Sequence, residues 1–127
     1  MNGINELLET EWTKLEGCPV LSTTGKTGIP NTVYVGEISY DKDINGFIIA
    51  DNYFNKTRKN IDAGSKGSVL FLTTEGKAYQ IKGEITDYRD GEIYDKMLKF
   101  HNPKHPGNSA VVVSVDEAYS GADKLTD

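Results

Sequence analysis

Residues 51–61, DNYFNKTRKNI, follow the apolar run FIIA and set Lys56, Arg58 and Lys59 around Thr57, with Asn55 and Asn60 on either side. Cations, a hydroxyl and carboxamides at this spacing suit an anion. A phosphate monoester is a dianion near neutral pH, so it favours backbone N–H groups, a hydroxyl and at least one cation. A loop that ends a buried strand and opens a helix presents N–H groups already aligned by the helix dipole. Lys56 and Thr57 fall where a helix over 57–63 is predicted to begin. The same residues also fit a basic turn that is merely solvated, and local periodicity leaves both readings open.

The other candidates for chemistry are weaker. His101 and His105 are four apart, which on a helix would make a metal pair, but Pro103 lies between them and no third ligand is evident. They read as a solvated loop, and both are expected to be replaceable without effect on a bound cofactor. Cys18, beside Pro19, reads as a small buried apolar residue entering a strand rather than a nucleophile. GKTG at 25–28 lacks the Gly-x4-Gly-Lys spacing of a phosphate-binding P-loop. Asp41 and Asp43 sit where a hairpin turn favours Asp for turn reasons alone.

These residues need a scaffold, and composition bounds it. A chain of 127 residues with 37% hydrophobic and 26% charged content fits one globular domain over 1–127 with its own core. The net charge of −5 argues against a nucleic-acid partner, which needs a broad basic surface. No apolar run is long enough for a membrane span, and the acidic residues near the start do not suit a secretory leader. A single cysteine fits a reducing cytoplasm.

Ile4, Leu7, Leu8, Trp12 and Leu15 recur at helical steps and predict an N-terminal helix over about 3–16, with Trp12 covering the core. Strands are predicted at VLSTT, at PNTVYVGEISY, at FIIAD (buried on both faces), at SVLFLTT, at KAYQIKGEITDY and at SAVVVSV. Tight turns are expected at GKTG, Asn45-Gly46 and Glu75-Gly76. A short helix stops at Gly64, and a fuller one over GEIYDKMLKF turns Ile93, Met97, Leu98 and Phe100 to one side. The tail over 120–127 is polar and expected to be ragged beyond Tyr119. Six strands joined mostly by hairpins suggest a small antiparallel barrel with short helices.

The order of these segments resembles the pyridoxamine 5′-phosphate oxidase-like FMN-binding split-barrel family, and within it the small stand-alone FMN-binding proteins. The likeness rests on Lys56, Thr57, Asn60 and Ile61, which meet Lys-Thr-x-x-Asn-aliphatic, on Asn31-Thr32 in the second strand, and on Ile81-x-Gly83 in order. It implies a mostly β fold: a six-stranded antiparallel split β-barrel (Greek key) that forms a homodimer with one FMN per subunit at the interface. By the same resemblance Lys56 and Thr57 contact the phosphate, Thr32 adds a hydroxyl and Asn31 lies near the ribityl or ring edge. Ala50, Asp51 and Asn52 run along the isoalloxazine, offering backbone groups. Tyr34 and the segment from Asp116 to Tyr119 face the flavin held mainly by the other subunit. Arg58 departs from the small proteins' acidic residue, and PGNS stands where some relatives carry an aromatic before the last strand. The chain is shorter than a true pyridoxamine phosphate oxidase and lacks its substrate-phosphate cluster.

A flavin carries its own redox chemistry while the protein anchors, orients and tunes it, so a chain without an acid–base set can still host an oxidoreductase. The expected function is an FMN flavoprotein that transfers electrons or reduces a small molecule, partnered by a small-molecule or protein redox partner. The alternatives are a split-barrel relative that uses a deazaflavin or haem, the latter with His101 or His105 as axial ligand, and a non-catalytic binding domain.

Overall fold

The computed structural model describes residues 2–127. Helix α1 (Asn2–Trp12) leads into β1 (Leu15–Thr24) and β2 (Pro30–Tyr34), then β3 (Ile38–Asp41) and β4 (Gly46–Asp51). Helix α2 (Lys56–Asp62) precedes β5 (Gly67–Thr73), β6 (Ala78–Gly83) and β7 (Ile85–Tyr88). Helix α3 (Gly91–Leu98) is followed by β8 (Ser109–Ser114), β9 (Glu117–Ser120) and β10 (Asp123–Lys124). All pairings are antiparallel, in a six-stranded sheet ordered β10-β9-β6-β5-β1-β2 and a four-stranded sheet ordered β3-β4-β8-β7.

The turns fall where glycine and asparagine permit positive φ: Gly28 at +84°, Asn45 at +48° and Gly76 at +78°. Two predicted strands, however, each serve both sheets. The segment over 30–40 breaks at residues 35–37, so that β2 pairs with β1 while β3 pairs with β4. The segment over 77–88 breaks at Glu84, so that β6 pairs with β5 and β7 with β8. Gly83 is required there, because a Cβ would run into the Ser114 carbonyl. The tail is also ordered. Leu125 N–H donates to Ala118 O at 2.8 Å, and Ala118 N–H donates to the buried Thr126 Oγ1 at 3.2 Å. Among the described residues the result is ten strands in two sheets with three short helices, not a closed ring of six.

Between the sheets lies the main core, with Leu21, Val69, Phe71 and Ile81 facing Phe47, Ile49, Val111 and Val113, capped by Ile4 and Leu8 of α1. Trp12 closes it edge-on to Phe47 (5.2 Å) and Phe71 (5.0 Å). The outer face of the smaller sheet carries Ile48, Ala50, Ala110 and Val112 against Met97 of α3. That explains why FIIAD is apolar without alternation: both of its faces are buried. Leu98 points outward instead of joining Met97. Helix α1 ends earlier than its apolar spacing predicts, because Leu15 pairs with Thr73 at the start of β1. Cys18 is exposed, with Sγ donating to Val35 O at 3.2 Å, and is not the buried apolar residue its neighbours suggest.

Two polar contacts pin helices to this frame. Arg58, 16% exposed, sends Nε and Nη2 to Asp51 Oδ2 (3.0 and 2.6 Å), both Nη atoms to Asp87 (3.2 Å), Nη1 to Asp62 Oδ1 (3.2 Å) and Nη2 to Ser109 Oγ (2.9 Å). It thereby fixes α2 to the ends of β4, β7 and β8. At the other end of the molecule, Tyr79 Oη donates to buried Glu11 Oε1 at 2.7 Å, and Lys14 Nζ stands 2.9 Å from Glu11 Oε2.

Arg58→Ala leaves Asp51, 3% exposed, without its cation, and should cost about 3 kcal/mol, the lower end for a broken buried pair because Asp87 stays partly hydrated. Arg58→Lys should restore little, since one ammonium cannot replace the planar fork. Denaturant unfolding measures both, and a loss under about 1 kcal/mol in Arg58→Ala would class the cluster with ordinary surface pairs. The Tyr79 and Lys14 bonds hold the Glu11 carboxyl below its usual range against the opposing effect of burial. Burial and the bond to Glu11 push Tyr79 up to about 12. A depressed carboxyl stabilises the fold above its unfolded value and loses that contribution as pH falls through its folded value. Wild type should therefore exceed Glu11→Gln in unfolding free energy at pH 7, with the gap closing below about pH 4; a gap that persists unchanged at pH 3 would remove ionisation from the explanation.

Candidate functional site

Where the chain crosses from β2 to β3 it separates from the β4–α2 loop, and a cavity of about 420 Å³ opens between them. Residues 33–37 form one wall, Ala50 and residues 52–57 another, and His105 closes a side. A space of this size suits a cofactor-sized ligand. Of the residues expected at the site, Tyr34, Ala50, Asn52, Lys56 and Thr57 all line it.

The basic stretch divides by what each cation does. Arg58 is consumed by Asp51, Asp62 and Asp87. Lys56 is exposed on the cavity rim and, among the described residues, enters no ion pair. Thr57 is buried beside it, and its Oγ1 accepts from Asn31 Nδ2 at 2.9 Å. The hydroxyl proton of Thr57 is therefore left to donate elsewhere. Asn60 Nδ2 donates to Thr23 Oγ1 at 3.0 Å, and Asn31 Nδ2 reaches the same oxygen at 3.4 Å. Asn31 thus holds Thr57 from behind the wall, and Asn60 ties the same helix to Thr23 of β1. Helix α2 spans only seven residues, so these side chains, rather than a long helix dipole, give the spot its character.

Asp51 is not in the wall. Its carboxylate is spent on Arg58 and on Phe54 N–H (3.1 Å), and its carbonyl accepts from Asn108 N–H at 2.8 Å. Thr32 and Tyr119 lie apart from the cavity. Thr32 Oγ1 is 3.0 Å from Ser22 Oγ and borders a second hollow of about 330 Å³, which Lys82 and Glu117 also line. Tyr119 bonds Glu117, and Lys82 Nζ stands 5.1 Å from its ring centre.

Glu37 was not among the expected residues, and it organises the cavity's far end. Its carboxylate accepts from Asn52 Nδ2 (2.7 Å), from His101 Nδ1 (2.9 Å) and from Asn102 N–H. Burial alone would raise its pKa, but these bonds prevail and hold it below the usual carboxylate range. Asn52 Oδ1 accepts from Gly107 N–H at 2.9 Å, so both ends of the Asn52 amide are used inside the protein. His101, with a side chain 9% exposed, is a clasp residue and not part of a solvated loop. Gly107, at φ +57°, leaves room for its ring, which a Cβ would crowd. His105 turns elsewhere, its Nδ1 3.0 Å from Tyr53 Oη. Among the described residues no three His, Cys, Asp or Glu side chains converge as a metal set. Nothing local in the sequence singles out Glu37, because its partners lie fifteen and more than sixty residues away.

The comparisons with known proteins agree with this geometry. The family model described as pyridoxamine 5′-phosphate oxidase matches residues 10–120. An uncharacterized protein of Methanocaldococcus jannaschii is 32% identical over 104 residues, 79% of this chain and 70% of its own. An FMN-binding protein from Syntrophomonas wolfei superposes with a TM-score of 0.76 at 21% identity, over 91% of this chain and 86% of its own. A heme-binding protein from Mycobacterium smegmatis superposes with a TM-score of 0.72 at 11% identity, over 91% of this chain and 52% of its own. At such identities the solved structures show a shared fold; the family-model match, which spans both strand crossings and the Lys56–Thr57 cavity, shows more: the chain belongs to the pyridoxamine 5′-phosphate oxidase family.

Proposed function

We propose that the protein is an FMN-binding flavoprotein, working as an electron carrier or as a flavin-dependent reductase of a small molecule in the cytoplasm. The observation that carries this reading is the uncommitted Lys56 ammonium beside the buried Thr57 hydroxyl on a cavity of about 420 Å³. A cation and a donor hydroxyl, the hydroxyl held by Asn31, are what a terminal phosphate requires. In this reading Lys56 and Thr57 hold the phosphate, and the backbone from Ala50 to Asn52 runs along the ring, the Asn52 amide being spent on Glu37 and Gly107. FMN would supply hydride or single-electron chemistry, and the chain binds, orients and shields it.

The site works as a homodimer. The outer face of the larger sheet carries a cross-strand row of Tyr34, Val20, Leu70, Gln80 and Tyr119. Tyr34 is 77% exposed, and Leu70 and Leu72 are each 44% exposed. An apolar sheet face of this kind, starting at the cavity mouth, supports a second copy as its cover. It also supports a role for Thr32 and Tyr119, which lie on that face, against the other subunit's flavin.

Haem is the second reading, favoured by His105 on the cavity wall with Nδ1 held by Tyr53, an arrangement that suits an axial ligand. Absorbance of the purified protein separates flavin from haem, and the mass of the released cofactor separates FMN from a deazaflavin. A colourless protein that takes up none of them would favour a non-catalytic binding domain.

Lys56→Ala should weaken FMN about ten- to hundredfold, as expected for a charge-assisted bond of about 1.5–3 kcal/mol, while hardly changing riboflavin. Lys59→Ala, at an exposed position, should change neither. Direct titration decides: equal losses for both ligands in Lys56→Ala would assign the lysine to the fold or the ring. For the assembly, sedimentation should give a dimer at micromolar concentration, and Leu70→Lys should shift it towards monomer. A flavin-bound wild-type monomer at that concentration would defeat the dimer.

A further inference from the structure

Several polar groups on the cavity wall are already committed. The Glu37 carboxylate is taken by Asn52, His101 and Asn102, and the Asn52 amide by Glu37 and Gly107. Lys56 and Thr57 serve the phosphate in the reading above. Tyr34 and Asn55 also line the cavity, but both are exposed and, among the described residues, no side-chain bond orients them. The pair Tyr53 and His105, both on the wall, has Oη and Nδ1 3.0 Å apart and rings edge to face at 5.6 Å. Among the described residues no bond engages His105 Nε2.

His105 stands on a fixed segment. His105 N–H donates to Asn102 O at 3.0 Å and Lys104 N–H to Asn102 Oδ1 at 3.0 Å, while Asn102 N–H is held by Glu37. Gly107 N–H is tied to Asn52 and Asn108 N–H to Asp51. Pro103 and Pro106 restrict the same stretch further. An imidazole carried on such a segment and turned into a cavity is pre-organised for contact rather than swept through solvent.

We propose that His105, oriented by Tyr53, is a ligand-contacting residue of this cavity that hydrogen-bonds the ring portion of the bound flavin. The Tyr53–His105 bond can run either way. When the hydroxyl donates to Nδ1, Nε2 carries a proton and donates; when Nδ1–H donates to the hydroxyl, Nε2 accepts. A flavin ring nitrogen such as N5 accepts a hydrogen bond in the oxidised form and donates one in the reduced form. One side-chain pair can therefore satisfy both forms by exchanging tautomers, which a lysine or a carboxylate cannot do. This inference rests on the flavin reading and assigns the ring-edge contact, where Lys56 has the phosphate.

The test titrates wild type, His105→Ala, Tyr53→Phe and Lys56→Ala with FMN and riboflavin, and with FMN reduced by dithionite, alongside thermal melting of the ligand-free proteins. His105→Ala should lose about three- to tenfold in affinity for FMN and riboflavin alike, oxidised and reduced, the size of one neutral hydrogen bond. Tyr53→Phe removes one hydroxyl from an exposed side chain, so it reads the same contact if His105→Ala folds poorly; it should lose about two- to threefold in the same pattern. Unchanged affinities in both variants, or a loss confined to FMN, would overturn the ring contact and leave the flavin reading standing. Wild-type protein that binds neither flavin would overturn both.

Discussion

The Arg58 guanidinium is the contact on which the site's arrangement depends. It gathers Asp51 from the end of β4, Asp87 from β7 and Ser109 from the start of β8, and adds Asp62 from its own helix. Three carboxylates converging in one place would repel one another and open the end of the smaller sheet; a planar fork of N–H donors turns that repulsion into a joint. Because Arg58 lies two residues beyond Lys56 in the same short helix, the joint also sets where Lys56 and Thr57 stand. An acidic chain thus places a cation in its interior for structural reasons and leaves a neighbouring cation free for a ligand. The two cannot be exchanged. Lys56 has no carboxylate to answer, and Arg58 has no capacity left.

The second constraint is that β2 and β6 do not continue as single strands. Sheet twist and the need to close both faces of β4 and β8 carry the chain over from one sheet to the other at residues 35–37 and at Glu84. At the first crossing the backbone leaves the larger sheet before joining the smaller one, and the gap is the cavity. Glu37 lies in that crossing, so the residue that anchors the segment before β8 is supplied by the same change of sheet that opens the space.

Local features were legible where backbone chemistry is local. Asn45-Gly46 and Glu75-Gly76 turn where positive φ is required, FIIAD is buried on both faces, and α2 starts at Lys56 and ends before Gly64. The strand breaks were not legible as changes of sheet, because the glycines at them, Gly36 and Gly83, fit a bulge within one continuous strand equally well. The N-terminal helix is shorter than its apolar spacing for a related reason: Leu15 keeps the helical spacing while belonging to β1. The order of the tail was hidden because a two-residue pairing of β10 with β9 and the bonds of Leu125 and Thr126 to Ala118 hold it, and such contacts leave little mark on a short polar sequence. The resemblance brings Asn31 and Thr32 to the site as one motif, while neighbouring strand residues face opposite ways. One side of β2 therefore serves the Thr57 pocket and the other serves the sheet's outer face.

His101 and His105 show most directly what sequence spacing leaves undetermined. The two residues are identical in type and four apart with Pro103 midway between them, so pattern alone assigns them one fate. The structure separates them by partner: Glu37 takes one imidazole into a clasp, and Tyr53 holds the other against the cavity. The same division separates Arg58 from Lys56. In each case, the group whose hydrogen-bonding capacity is exhausted inside the protein supports the wall, and the group with capacity remaining on the cavity side is the one able to meet a ligand. Residue type proposes the chemistry of this site; the count of partners already taken assigns it to particular atoms.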